Sequence, residues 1–205
     1  MTTTSRHDAW QAGDSYEQYM GRWSRQVAPL FVDWLEVAAD LDWLEVGCGT
    51  GALSSTIVAR CAPRSLLSID PSEGFLAVAR ANVPDACVTF QTGDAQALPV
   101  EPASKDAVAS ALMLNFVPDR LHALEEMKRV TRPGGRIGFY VWDYPGGGIA
   151  FMRAFWQAAV ELDASAAELT EDKRFPFCTP EGLRDLARRA GLSAEVRAIE
   201  VPTVF

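Results

Sequence analysis

From Asp42 onward the chain alternates short apolar runs with stretches whose apolar residues recur every three or four positions. The runs read as strands and the stretches as amphipathic helices. The predicted strands are Asp42–Val46, Ser65–Ile69, Ala86–Gln91, Asp106–Leu112, Arg136–Trp142 and Ala194–Val201. The helices among them are Ala52–Arg60, Ser72–Asn82, Arg120–Thr131 and Thr179–Ala190. After Asp106 the fourth strand is small and apolar throughout, as a strand covered on both faces should be. Ser72 suits an N-cap with Glu73 in the first turn, Pro133-Gly134-Gly135 closes the helix before the fifth strand, and Gly191 ends the last helix. Upstream, Tyr16, Tyr19, Met20 and Trp23, then Val27, Leu30, Phe31, Trp34 and Leu35, repeat at helical spacing. That predicts a helix from Ser15 to about Val37, with Pro29 as a break or kink. Residues 1–13 are small and polar, a mobile start.

Strands alternating with helices imply parallel βαβ units with right-handed crossovers, hence an α/β, doubly wound, mostly parallel sheet with helices on both faces. Such sheets bind ligands beyond the carboxyl ends of their strands, so informative residues should follow each strand directly. A single domain is expected, in four parts: an N-terminal helical cap (1–40), a ligand-binding core (41–143), a variable segment (144–178), and a C-terminal helix and strand (179–205).

Composition narrows the function. The 205 residues suffice for one two-sided core, and a net charge of −8 is a poor footprint for nucleic acid. The Lys173–Arg174 pair reads as solvated surface. Cys48, Cys61, Cys87 and Cys178 form no C-x-x-C pair, and with only His7 and His122 no spacing suits a metal. Scattered free cysteines, a polar start without a signal-peptide core and no membrane-length apolar run predict a cytoplasmic protein.

The strongest local signal is Leu44-Glu45-Val46-Gly47-Cys48-Gly49-Thr50-Gly51, a glycine-rich turn from strand into helix. Such a turn lets backbone N–H groups approach a ligand closely. It leaves the ligand open: Gly47, Gly49 and Ala52 also satisfy the dinucleotide pattern, and Asp70 after the second strand could hold ribose hydroxyls in either case. Two features favour S-adenosylmethionine. Glu45 lies inside the first strand, where a carboxylate attracts an ammonium group. Asp94, in Gly93-Asp94-Ala95-Gln96-Ala97-Leu98-Pro99 after the third strand, can accept from an adenine amino group.

With these motifs the chain resembles the class I, Rossmann-like S-adenosylmethionine-dependent methyltransferases, especially the ubiquinone and menaquinone biosynthesis branch. The resemblance runs from Tyr16 to Trp142 and weakly to Val201. It rests on Leu44–Gly51, Ile69-Asp70-Pro71-Ser72, Gly93–Pro99, Asn115-Phe116-Val117-Pro118-Asp119 and Arg129-Val130-Thr131-Arg132-Pro133-Gly134-Gly135, in that order. Each is weak singly, but the ordered set is specific. It implies a cofactor site in which Gly47, Cys48, Gly49 and Gly51 pack on the amino-acid portion of S-adenosylmethionine. Asp70, with Pro71 and Ser72, takes the ribose; Asp94 and the Ala95 backbone take adenine; Asn115 and Phe116 sit near the methionine end. Tyr19 or Trp23 could face the sulfonium, or could simply be the buried face of their helix. The family also implies a seventh, antiparallel strand, which the sequence up to Phe205 does not show and whose absence would leave an open sheet edge.

Methyl transfer needs positioning rather than a protein nucleophile, and a general base only where the acceptor must lose a proton. Asp143 and Tyr144, after the fifth strand, and His122 are the weak candidates for that base. Gly146-Gly147-Gly148 predicts a mobile joint. Phe151, Met152, Phe155, Trp156 and Ala159 then form an apolar stripe that is part core, part lid, and suits a small or lipophilic acceptor. The resulting expectation is an enzyme that methylates a small molecule and releases S-adenosylhomocysteine, with oligomeric state and acceptor undetermined. The alternatives are an NAD(P)-dependent oxidoreductase, disfavoured by the lack of a Tyr-x-x-x-Lys pair, and a non-catalytic protein that keeps the cofactor fold.

Overall fold

The first predicted strand, β1 (Asp42–Val46), is buried on both faces, which is why it reads as a run rather than an alternation. The computed structural model describes residues 22–202. Around β1 the order is α1 (Arg22–Leu35), then α2 (Ala52–Cys61), β2 (Ser65–Asp70), α3 (Glu73–Asn82), β3 (Val88–Thr92), β4 (Lys105–Ala111), a 3₁₀ turn at Leu114–Phe116, α4 (Arg120–Val130) and β5 (Thr131–Tyr140). The strands pair in the order β3-β2-β1-β4-β5, all parallel. This is the predicted α/β architecture. Chain order reverses beside β1, so the crevice beyond its carboxyl end is the expected ligand position.

Packing follows the two-residue period of the strands. Trp43, Leu66, Ala107 and Ala109 meet α1 and α2 in one cluster with Phe31, Leu35, Leu53 and Ile57. Leu44, Val46, Ile69 and Val108 point the other way and are equally buried. α3 and α4 bury Leu76, Ala79, Leu124 and Met127. Along the amino ends of the strands, Asp42 and Asp106 pair with Arg64 and Arg132, tying β1, β4 and β5 to the turn before β2.

Three expectations need correction. α1 passes through Pro29 without ending, because Ala28, Phe31, Val32 and Leu35 are all buried and their packing outweighs one missing backbone bond. Pro133-Gly134-Gly135 does not precede β5; it is a bulge within it. Lys105 pairs with Thr131 and Ala107 with Arg136, so three extra residues are looped out of β5. Gly134 has φ +80°, and a Cβ on Gly135 would lie 2.7 Å from the Asp106 carbonyl oxygen. The third correction is the sixth strand. Residues 194–201 form no strand, although Ile199 packs against the α1–α2 cluster. Their alternation specifies a face but supplies no backbone partner, and pairing is what makes a strand.

Contacts divide the described residues into one unit of 22–140 with 199–202 and a second of Val141–Ala198. The second holds α5 (Ala150–Leu162), a 3₁₀ segment Ala164–Glu168, α6 (Glu171–Arg174) and α7 (Pro180–Arg189). The Trp156 indole donates to Glu171, and the Tyr144 and Phe175 rings lie 5.3 Å apart. Gly146-Gly147-Gly148, expected as a loose joint, forms a bonded turn: Gly146 N donates to Asp143 Oδ1 (2.8 Å) and Gly148 N to the Asp143 carbonyl (3.0 Å). Thr179 caps α7 through Gly182 N at 3.0 Å, and Gly191 beyond it has φ +68°. No helix among the described residues is long and apolar enough to cross a membrane.

Candidate cofactor site

Beyond the carboxyl end of β1 lies a cavity of about 430 Å³ within the first unit. Its floor is the glycine turn. Gly47 N and Cys48 N both donate to the Ile69 carbonyl, at 2.7 and 3.0 Å, and Gly51 N donates to the Cys48 carbonyl at 3.0 Å. Gly49 N donates to Asp70 Oδ2 at 2.9 Å. The turn is thus pinned to the end of β2 by its own amides. Left-handed backbone is required at Gly47 (φ +75°), Gly49 (φ +53°) and Gly51 (φ +89°). A Cβ on Gly47 would lie 2.3 Å from Met113 Cγ, whereas one on Gly49 would meet nothing within 4 Å. Gly51 faces the Val83 and Ala79 side chains instead, so it seats α2 against the end of α3 and lies outside the cavity lining.

Carboxylates dominate the cavity's electrostatics. Glu45 is fully buried, accepting from the Ser54 hydroxyl and from Ser68 Oγ at 3.2 Å, while its Oε1 has no partner. Burial pushes its carboxyl up to about 8, against the pull of the two hydroxyls. Asp70 is also buried, and desolvation raises its carboxyl above the usual range. Its Oδ1 accepts from Ser72 N at 2.9 Å, which leaves further lone pairs on both oxygens for hydroxyl donors. Asp94 is exposed, with Oδ1 accepting from Gln96 N at 2.9 Å. Glu45, Asp70 and Asp94 line the cavity, and among the described residues no Lys, Arg or His does. Burial drives the Cys48 thiol far up, so it is no thiolate nucleophile at neutral pH.

A family model described as "Methyltransferase domain" matches residues 44–139. A demethylmenaquinone methyltransferase of Deinococcus radiodurans is 30% identical over 167 residues, covering 76% of this chain and 69% of that protein. The chain belongs to the class I S-adenosylmethionine-dependent methyltransferase family. An uncharacterised methyltransferase of Mycobacterium tuberculosis is 37% identical over 115 residues, 56% of this chain and 45% of that one. The chain therefore spans about half the length of that relative. Among solved structures, an S-adenosylmethionine-dependent methyltransferase from Mesorhizobium loti superposes with TM-score 0.51 at 28% identity, over 57% of this chain and 53% of that one.

Against this family's site, Glu45, Gly47, Cys48, Gly49, Asp70, Pro71, Ser72, Asp94, Ala95 and Phe116 all border one cavity. Trp23 and Asn115 do not. Trp23 is 1% exposed on the inner face of α1, with the Arg22 guanidinium 4.5 Å from its ring, so α1 lines the cavity through Ser24. Asn115 is buried with neither amide atom partnered. Tyr19 lies outside the described residues. Of the base candidates, His122 is exposed beside Glu125 at 3.7 Å, and Asp143 and Tyr144 belong to the second unit, where Asp143 holds the glycine turn. Sequence reading missed Leu112 and Met113 (Leu112 with φ +57°), although both directly follow β4, where such residues are expected. It also missed Ser54 and Ser68, whose signal is a hydroxyl on an otherwise apolar, buried face.

Proposed function

We propose that the chain binds S-adenosylmethionine in this cavity and transfers its methyl group to a small-molecule acceptor. The supporting observation is the pair of buried carboxylates, Glu45 and Asp70, at adjacent strand ends of a cavity to which no described residue brings a basic side chain. That charge pattern suits a ligand carrying a sulfonium and an ammonium. It opposes a dinucleotide, whose pyrophosphate is itself negative. The amides of Gly47, Cys48, Gly49 and Gly51 are already spent inside the protein.

The residues present fit the cofactor. Oε1 of Glu45 is a buried acceptor lacking a donor, which the ammonium would supply. The remaining lone pairs of Asp70 would take the ribose hydroxyls, and Asp94 with the Ala95 backbone would take adenine. The open space above Gly49 would admit the amino-acid portion. When bound, the cofactor supplies a methyl group on positively charged sulfur, activated for in-line displacement. The chain's part is to orient that group and exclude water.

A small, lipophilic acceptor is favoured by the relative named demethylmenaquinone methyltransferase. A cytoplasmic setting accords with the four free cysteines. Calorimetric titration with S-adenosylhomocysteine and with NADH tests the cofactor; binding of NADH alone would sink the reading. Transfer of labelled methyl from S-adenosylmethionine into a metabolite extract tests the activity, and an absence of labelled product would leave a non-catalytic cofactor-binding protein.

A further inference from the structure

The segment that carries Asp94 and Ala95 is held from outside the cavity by an ion pair on α4. Arg129 and Glu126 are one helical turn apart and meet in a forked pair, Nε to Oε1 at 2.6 Å and Nη2 to Oε2 at 2.8 Å. The same two side chains bracket the Leu98 peptide. Glu126 Oε2 accepts from Leu98 N at 2.9 Å, and Arg129 Nη2 donates to the Leu98 carbonyl at 3.0 Å. Arg129 Nη1 also donates to the Val100 carbonyl at 2.9 Å. At its other end the segment is anchored by Gly93 N on the Asp70 carbonyl (3.2 Å), and a Cβ on Gly93 would lie 2.7 Å from Ile69 Cγ2. Between these anchors, Gln96 Oε1 accepts from Asp119 N at 3.0 Å, at the start of the same helix. Glu126 is largely covered, so the pair is more than a solvated surface contact.

We propose that Glu126 and Arg129 are positioning residues that set the Asp94–Ala95 backbone at the height at which it distinguishes adenine from other bases. The proposal rests on the reading that S-adenosylmethionine occupies the cavity with its adenine at Asp94. A fork is required: the guanidinium reaches two carbonyls and a carboxylate at once, and a lysine ammonium cannot reproduce that plane. Neither side chain touches the cavity, so their effect must travel through the loop.

The experiment compares binding of S-adenosylhomocysteine with that of S-inosylhomocysteine, its analogue in which an oxygen replaces the adenine amino group. Wild type, Arg129→Lys, Arg129→Gln and Glu126→Gln are titrated, with Arg64→Gln, at the far end of the sheet, as a control for lost stability. Wild type should prefer the adenine ligand, and both Arg129 variants should lose about tenfold of that preference, one hydrogen bond's worth. Arg64→Gln should keep the preference while losing thermal stability. A preference unchanged in Arg129→Lys and Arg129→Gln overturns the proposal, as does an equal loss in Arg64→Gln. Should an Arg129→Gln protein not fold, Arg129→Lys and Glu126→Gln carry the same comparison. A wild type that binds neither ligand overturns the cofactor reading itself, whereas a wild type that prefers the adenine ligand beside variants that keep the same preference overturns only the positioning role.

Discussion

Asp70 holds Gly49: the carboxylate at the end of β2 accepts the amide of the glycine turn at 2.9 Å, and its other oxygen accepts Ser72 N at 2.9 Å. One buried side chain thus fixes the turn after β1 and the start of α3, and still has lone pairs facing the cavity. Asp70→Ala should therefore do two things. It should weaken S-adenosylhomocysteine by roughly 100-fold, since charge-assisted bonds are lost. It should also lower stability by about 1–2 kcal/mol, because two part-buried amides, of Gly49 and Ser72, lose their acceptor. Titration calorimetry and thermal melts separate the effects, and unchanged affinity would remove Asp70 from the site.

The glycines of the turn should separate by the same two measurements. In Gly47→Ala the new methyl meets Met113 Cγ at 2.3 Å on a backbone at φ +75°, so folding should suffer. In Gly49→Ala the methyl enters open space at φ +53°, with strain of about 1 kcal/mol and no clash. Gly49→Ala should keep most of its melting temperature yet lose ligand affinity, whereas Gly47→Ala should melt early. A Gly49→Ala protein that binds S-adenosylhomocysteine normally would place the ligand away from the turn.

The sequence made these contacts legible unevenly. The ends of β1, β2 and β3 were readable because each is a short run closed by glycine or acid, and doubly wound topology puts such closures on one edge; β4 runs on into Leu112 and Met113 with no such mark. Thus Glu45, Gly47, Asp70 and Asp94 come together although 49 positions separate the first from the last. Trp23 was ambiguous because helical spacing reports burial, not what is buried against. The Arg129–Gly135 motif was recognisable, but its physics was hidden: Arg129 grips the adenine-side loop, Arg132 grips Asp106, and the glycines form a bulge. Those depend on contacts 26 or more residues away in chain position, which local pattern does not encode. The missing sixth strand is the converse case, a strand-like pattern without a neighbour.

Glu45 predicts a proton linked to binding. Its carboxyl stands at about 8 in the fold against 4.5 for a free glutamate. Burial is the main cause; the nearby Asp70 charge adds to it, and the Ser54 and Ser68 hydroxyls oppose it. A carboxyl raised in this way favours folding while protonated. Its contribution is complete below about pH 4.5 and is lost as pH rises through about 8. The ligand-free protein should therefore lose stability across that window, and Glu45→Gln should flatten the loss. A bound ammonium should reverse the shift and expel about one proton at pH 7. Titrations of S-adenosylhomocysteine in buffers of different ionisation enthalpy read that proton directly; a buffer-independent enthalpy would mean that Glu45 does not meet a cation.

At the opposite end of the sheet the sign reverses. Hydrogen bonds from Arg64, then Ser65, hold the Asp42 carboxyl well below the usual carboxylate range, and Arg132 does the same more mildly for Asp106. A depressed carboxyl stabilises the fold above its unfolded value and loses that contribution as pH falls through the folded one. Arg64 and Arg132 are each partly exposed, so solvent screening trims the gain. Asp42→Asn should lower the melting temperature by a few degrees at pH 7, and the gap from wild type should narrow as pH drops below about 4. Its affinity for S-adenosylhomocysteine should not change, because Asp42 begins the strand whose far end carries the turn. A pH-independent gap would show that Asp42 acts through packing rather than charge, and a fall in affinity would mean that the two ends of the sheet are coupled.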